Sequence, residues 1–337
     1  MTEKRVIVMG GQGYFGRLIV EDLRRHSDCE VLVAGRRAAD LRDAASLEAA
    51  LADVVVAICA AGPFQRLPIT LAEICARRRI HYIDVADDRR FVRKVRSLAV
   101  NHAGNLPAVC PGWSTVSALS GLLVHIASAG MDRIDSIQIH MAPGNRGARQ
   151  KSTIESLLHS VGQPFTVFRD GRWQTVQGWS EPRWFCFPSP IGRRVGYLVN
   201  VVDLELFPEM FQASNVEFRT GSELAILNRT VLLLAGRKMD WTRFAELFQR
   251  AAALLSWFGH DWGAVGVEVA GTGTRRAFVV ARANGERIAA MPASVMAGLL
   301  LSGSAHSGLV SYRDWLSREQ LKAECEKRGF ELIVEGA

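Results

Sequence analysis

The chain has no uninterrupted apolar run of the roughly 18 to 20 residues that a membrane-spanning helix needs. The longest candidate, Ala289 to Leu301, is too short and carries Pro292. A signal-peptide core is missing too: the charged start Thr2-Glu3-Lys4-Arg5 is followed only by Val6 to Met9 before glycines intervene. A cytoplasmic protein without a membrane span is therefore expected. No CxxC pair occurs; the six cysteines, at 29, 59, 75, 110, 186 and 325, are scattered, and four lie in apolar stretches. Buried thiols fit this pattern better than disulfides or zinc, and no metal site is expected. Tyr-xxx-Lys, GxSxG and GxxxxGK[ST] are all absent, which argues against classical short-chain dehydrogenase chemistry, a nucleophile-elbow hydrolase and a P-loop NTPase.

What is present is ordinary globular composition, 48% hydrophobic and 22% charged over 337 residues. That excludes disorder, and the length exceeds the usual single domain. A net charge of +7 and a pI of 9.3 raise nucleic acid as a partner. The cations are spread along the chain, however, and the one run of three, Arg77-Arg78-Arg79, ends a helical pattern, where positive charge suits the helix dipole. No nucleic-acid partner is expected.

The N-terminal third alternates short apolar runs with amphipathic segments, the βαβ pattern of a parallel sheet covered by helices. Strands are predicted at Arg5–Met9, Val31–Ala34, Val54–Ala60, Ile80–Asp84 and Ala108–Cys110, with helices near Phe15–His26, Ala45–Leu51, Pro68–Arg78, Arg89–Ala103 and Thr115–Ser128. From Arg133 the pattern changes to strands at Ile134–Met141, Phe165–Phe168, Gly196–Val202, Val265–Ala270 and Ala277–Arg282. Turns fall at Asp170-Gly171 and Gly271 to Thr274, and helices at Thr153–Ser160, Ser222–Leu234 and Trp241–Leu255. The fold class expected is α/β: a Rossmann-type parallel sheet domain with an inserted α+β domain of mixed, largely antiparallel sheet. The boundaries expected are 1–120 for the first domain, 121–291 for a substrate or dimerisation domain, and 292–337 for C-terminal helices packing back on the first.

Gly11-Gln12-Gly13-Tyr14-Phe15-Gly16 matches GxGxxG, between a predicted strand and a predicted helix with Leu18, Ile19 and Leu23 on one face. In that context Gly11 is assigned the tight turn, Gly13 the close approach of backbone to a pyrophosphate, and Gly16 the packing of helix on strand. Free amides at the helix start favour negative charge. The second strand ends in Gly35-Arg36-Arg37 with no acid to bond a ribose 2′-hydroxyl, so Arg36 and Arg37 point to a 2′-phosphate and to NADP(H) before NAD. The next strand runs into Ala61-Gly62-Pro63-Phe64, small residues that allow approach to ribose and nicotinamide. Asp84, at a strand's carboxyl end, is a candidate for substrate or ribose contact, or alternatively a cap on the following helix.

These residues, in order with Ala34-Gly35-Arg36, Cys75 before Tyr82-Ile83-Asp84, and Pro111-Gly112-Trp113-Ser114, resemble the saccharopine dehydrogenase family over about the first 120 residues. Gly308-Leu309-Val310 and Arg328-Gly329 resemble its C-terminal segment more weakly. The resemblance implies a Rossmann domain, an inserted α+β domain and C-terminal helices completing the first. It also implies hydride transfer between NAD(P) and an imine, secondary amine or amino-acid-like substrate; some relatives reduce carbon-carbon double bonds. The chain departs from the pattern just after Arg37, where Asp40-Leu41 follows almost at once and the usual second crossover helix and third strand are truncated.

In the second domain, Pro143 to Ser152 combines glycines, three cations and a helix start, a candidate anion site or else an exposed loop. His140 is a candidate proton donor, or a satisfied core residue. Trp173, Trp179, Trp184, Phe185 and Phe187 line a pocket or form a sheet-face cluster. Asp84 and His140 are thus the catalytic candidates of an NADP-dependent oxidoreductase acting on a small molecule, with a homodimer through the second domain possible in principle. The alternatives are a reductase of an activated C=C bond in a lipid-like substrate and a non-catalytic NADP-binding redox sensor.

Overall fold

The computed structural model describes residues 4–35, 39–101, 106–146, 151–237, 239–255, 257–303 and 307–336. The chain divides into two compact units, Met1–Leu119 with Ala289–Trp315, and Ser120–Ile288 with Leu316–Ala337.

The first unit begins with β1 (Arg5–Met9), whose residues Val6 to Met9 are all buried. Helix α1 (Tyr14–His26) buries Gly16, Ile19, Val20 and Leu23, spaced i, i+3, i+4, i+7, and gathers Arg24, Arg25 and His26 at its C-terminal end. There follow β2 (Glu30–Ala34), the short α2 (Ala44–Ala50) capped by the Asp43 carboxylate, and β3 (Val54–Cys59). Next come α3 (Thr70–Arg78), β4 (His81–Asp84), α4 (Arg89–Asn101), β5 (Ala108–Cys110) and α5 (Ala118–Ala127), within which the chain leaves this unit.

β2, β1, β3, β4 and β5 lie side by side in that order, all parallel. Among the described residues nothing pairs outside β2, so the truncation after Arg37 leaves β2 as the sheet edge. The chain steps from β1 to β2 on one side and returns to place β3 on the other. The carboxyl ends of β1 and β3 are therefore the topological switch point, where open α/β sheets bind ligands.

The second unit contains β6 (Ile134–Pro143), α6 (Lys151–Ser160), β7 (Pro164–Arg169), β8 (Arg172–Gln177), β9 (Arg183–Cys186), β10 (Arg193–Leu198), α7 (Asp203–Phe211) and β11 (Asn215–Thr220). It continues through α8 (Ala225–Ala235), α9 (Ala245–Leu255), β12 (Gly263–Gly271) and β13 (Thr274–Ala281). Its sheet pairs β6 with β11 in parallel and its other neighbours antiparallel, the mixed sheet expected. β8, β9, β11 and α7 have no counterpart among the predicted elements.

The tail separates differently from the expectation. Helix α10 (Arg287–Leu301) lies largely within the first unit, and β14 (Gly308–Leu309) pairs with β5 there. Tyr312 and Trp315 pack on the buried Trp113, donating to the carbonyls of Pro111 and Ala118 at 2.6 and 3.0 Å. Helix α11 (Arg318–Lys327) and β15 (Phe330–Glu335) belong to the second unit instead. The reason is backbone pairing: β15 completes a six-residue antiparallel ladder on β13, and Leu321, Cys325 and Phe330 are buried. Ser317 starts α11 with a capping box, its hydroxyl accepting from Gln320 N while the Gln320 side chain accepts from Ser317 N. Ser317→Ala is expected to cost about 1 kcal/mol of unfolding free energy, measured by denaturant titration.

Candidate functional site

Three strand ends meet at the switch point. Gly10 N donates to Ala34 O at 2.7 Å, and Ala60 N donates to Met9 O at 2.8 Å, which ties β2, β1 and β3 together where their helices and loops depart. The left-handed residue of the glycine turn is Gly10, at φ +78°, rather than Gly11, to which the sequence pattern assigns the tight turn. With two glycines adjacent, spacing alone does not tell which one turns. A Cβ on Gly10 would also lie 2.7 Å from Ala61 N, so the loop after β3 sits directly against the turn. Gly16 does what is expected of it, since a Cβ there would fall 2.2 Å from Gly10 O. It allows α1 to pack onto the end of β1.

Gly13 differs from both. It is the N-cap of α1 with φ −72° and ψ 173°, a conformation any residue adopts, and a Cβ there would meet only Gly10 O, at 3.1 Å. It is exposed, and no side chain caps the helix start. Gly62, beyond Ala61, is likewise exposed, and a Cβ added to it would have nothing within 4 Å. Gly62 is not demanded by chain packing, Gly13 is pressed by one backbone oxygen alone, and both border the switch point. Gln12 reaches across to the end of β2, where the amide tip of its side chain lies over Gly35. Tyr14 and Phe15 pack edge to face at the first turn of α1, and Pro63 opens the single helical turn Phe64–Arg66. The structure thus assembles Gly11, Gln12, Gly13, Tyr14, Phe15, Gly16, Ala61, Gly62 and Pro63 in one neighbourhood. Arg36 and Arg37 lie outside the described residues.

Asp84 is the last residue of β4, level with Cys59 at the carboxyl edge as expected, but it is wholly buried there. Its Oδ1 accepts from Ala86 N at 2.9 Å and Gly112 N at 2.8 Å, and its carbonyl accepts from Trp113 N. The carboxyl therefore braces the end of β4 against the turn after β5. Burial pushes its pKa up to about 6, against the pull of the two amides and the Tyr82 hydroxyl. The expected contact with substrate or ribose does not fit a fully enclosed carboxyl. Nor does Asp84 cap α4; Asp88 does, accepting from Phe91 N at 2.9 Å.

His140, on β6, is 2% exposed and stacks on Phe185 with ring centroids 4.1 Å apart. Burial, then the charges of Arg219 and Arg183, lower its pKa to about 3. A ring so enclosed and so shifted favours the core-residue reading of His140 over that of proton donor. Beside it lies a network that sequence reasoning missed, in which Arg219 bonds Gln138 and Glu217, and Glu217 bonds Arg169. These charged residues on central strands satisfy one another, and the arginines hold Glu217 down to about pKa 2 despite its burial. Of the two readings of the aromatic set, a shared pocket or a sheet-face cluster, neither gathers all five residues. Phe185 and Phe187 join Phe278 in the core, Trp179 stacks on Tyr197, and Trp173 and Trp184 are exposed. The expected anion loop falls partly on 147–150, outside the described residues.

By sequence, the chain matches no protein-family model and no curated protein. Solved structures are similar in chain course. A dehydrogenase from Clostridium difficile is 8% identical with a TM-score of 0.40, covering 97% of this chain and 98% of that one. An amine dehydrogenase from Mycobacterium smegmatis is 10% identical with a TM-score of 0.44, covering 95% and 98%. A probable dehydrogenase from Thermotoga maritima is 10% identical with a TM-score of 0.45, covering 91% of each chain.

Proposed function

We propose that this chain is an oxidoreductase that binds a nicotinamide dinucleotide across the carboxyl ends of β1 and β3. The observation that carries this reading is the pair Gly13 and Gly62, two exposed glycines at the switch point, Gly62 with open space where a Cβ would stand and Gly13 with a single backbone oxygen near it. A group brought within van der Waals distance of the backbone explains both. At Gly13 the uncapped start of a 13-residue helix supplies amide donors and a favourable dipole for a diphosphate. The cofactor would supply the hydride, and the protein its orientation. The finer reading is NADPH, for the reason of Arg36 and Arg37, and an imine or secondary amine as substrate, for the reason of the family resemblance.

Calorimetric titration with NADPH and NADH tests the first part. Wild type is expected to favour NADPH, and Arg36→Ala to weaken NADPH binding about tenfold while leaving NADH unchanged. Equal wild-type affinities would refute the preference. The buried positions of Asp84 and neutral His140 favour one second reading, a protein that binds the nucleotide without turning over. Oxidation of bound NADPH by any carbonyl or imine in a substrate panel would exclude it.

A further inference from the structure

The end of β2 carries a polar side chain that the fold does not employ. β2 is the sheet edge, and its last carbonyls are taken: Ala34 O accepts from Gly10 N at 2.7 Å and Gly35 O from Ala39 N at 3.0 Å. Gln12 lies over this strand end. Its Oε1 and Nε2 would stand 2.6 and 3.3 Å from a Cβ placed on Gly35, so the amide tip would have to move aside for any side chain there. The backbone of Gly35 is not left-handed, and the Gln12 tip is the first thing a side chain at that position would meet. Gln12 itself is exposed, and among the described residues its amide has no hydrogen-bond partner.

The place matters because of what a dinucleotide presents there. With its diphosphate at the start of α1, such a cofactor spans the switch point, one nucleoside toward β3 and the other toward β2. At the end of β2 the protein meets the 2′ position of the adenosine ribose, where a carboxylate bonds the hydroxyl of NAD and repels the phosphate of NADP. From Val31 to Arg37 the sequence has no Asp or Glu. Gln12 instead brings to that strand end a neutral group of nearly the same shape as a carboxylate. Its Nε2 donates and its Oε1 accepts, so the amide bonds either a phosphate or a hydroxyl. Resting on the dinucleotide reading above, we propose that Gln12 is a specificity-determining residue that contacts the 2′ substituent of the adenosine ribose. Its amide admits a 2′-phosphate where a carboxylate would exclude one, and the missing side chain at Gly35 gives the amide its place.

Calorimetric titration of the full chain with NADPH and NADH tests this in four variants: Gln12→Glu, Gln12→Ala, Gly35→Ala and the Gln12→Ala/Gly35→Ala double variant. Gln12→Glu keeps the size of an exposed side chain and should retain the wild-type circular dichroism. It is expected to weaken NADPH binding at least about tenfold while NADH binds as tightly as before or more so. Gln12→Ala should weaken NADPH about threefold to tenfold through the lost hydrogen bonding. Gly35→Ala should weaken it to a similar degree by pushing the amide aside, and should add nothing in the double variant, because both changes remove the same contact. Wild type that binds neither nucleotide would overturn the proposed function and this inference together. Wild-type binding with an unchanged ratio of NADPH to NADH affinity in Gln12→Glu would overturn this inference alone, as would additive effects of Gln12→Ala and Gly35→Ala.

Discussion

Gly13→Val is expected to abolish binding of NADPH and NADH alike, by more than about 100-fold, while the protein stays folded. The two halves of this result come from different observations. Folding survives because Gly13 has extended backbone angles and because an added Cβ would press on a single atom, Gly10 O at 3.1 Å, which a shift of a few tenths of an ångström relieves at a modest cost in melting temperature. Binding fails because valine's methyls occupy the space where a diphosphate would meet the first amides of α1. Gly16→Val is the contrasting case. Its Cβ would lie 2.2 Å from Gly10 O, so it should unfold the first unit before any question of binding arises. Gly273→Val, in the open β12–β13 turn with nothing within 4 Å, should change neither. Melting curves and calorimetric titration of the three variants separate these outcomes. Retained nucleotide affinity in folded Gly13→Val would remove the basis of the proposed function.

The first unit was legible because its information is local. Leu18, Ile19 and Leu23 marked a helical face behind a strand and a glycine turn, of which Ile19 and Leu23 are buried with Val20 in place of Leu18, and Val54 to Cys59 are apolar on both faces, as a strand covered on both sides must be. What escaped reading depends on partners distant in the chain. Asp84 resembles an edge carboxylate until Gly112, 28 residues on, closes over it. Glu217 and Arg219 look like solvent-facing charges, and β11 could not be read as a central strand until Arg169 and Gln138 are seen to neutralise and bond them. β8 and β9, with Arg172, Trp173, Arg183 and Trp184 exposed, bury too little on either face for alternation to show. β15 joins the second unit because β13 offers it a free edge, which nothing in residues 330–335 announces.

Asp84→Asn and His140→Phe are expected to tilt the pH dependence of stability in opposite directions. Asp84 has its pKa raised from 3.8 to about 6, so its folded form prefers the proton. The stability it contributes is fully present below pH 3.8, is lost as pH rises through about 6, and amounts to about 3 kcal/mol across that window. His140 has its pKa lowered from 6.5 to about 3, so its folded form refuses the proton that the unfolded chain accepts. Stability is therefore fully present above pH 6.5 and drains away as pH falls toward about 3, by about 3 kcal/mol on reaching pH 4. In wild type the two effects nearly cancel between pH 7 and pH 4. Asp84→Asn removes the gain on acidification and should lose stability steeply over that range. His140→Phe keeps the stack on Phe185, removes the titrating ring, and should gain stability instead. Glu217, held near pKa 2, adds an acid loss common to all three proteins and so drops out of the comparison. Denaturant unfolding at intervals from pH 7 to pH 4 measures the slopes. Parallel profiles for wild type and both variants would mean that neither group is enclosed as described, and would return Asp84 to consideration as a residue that meets substrate.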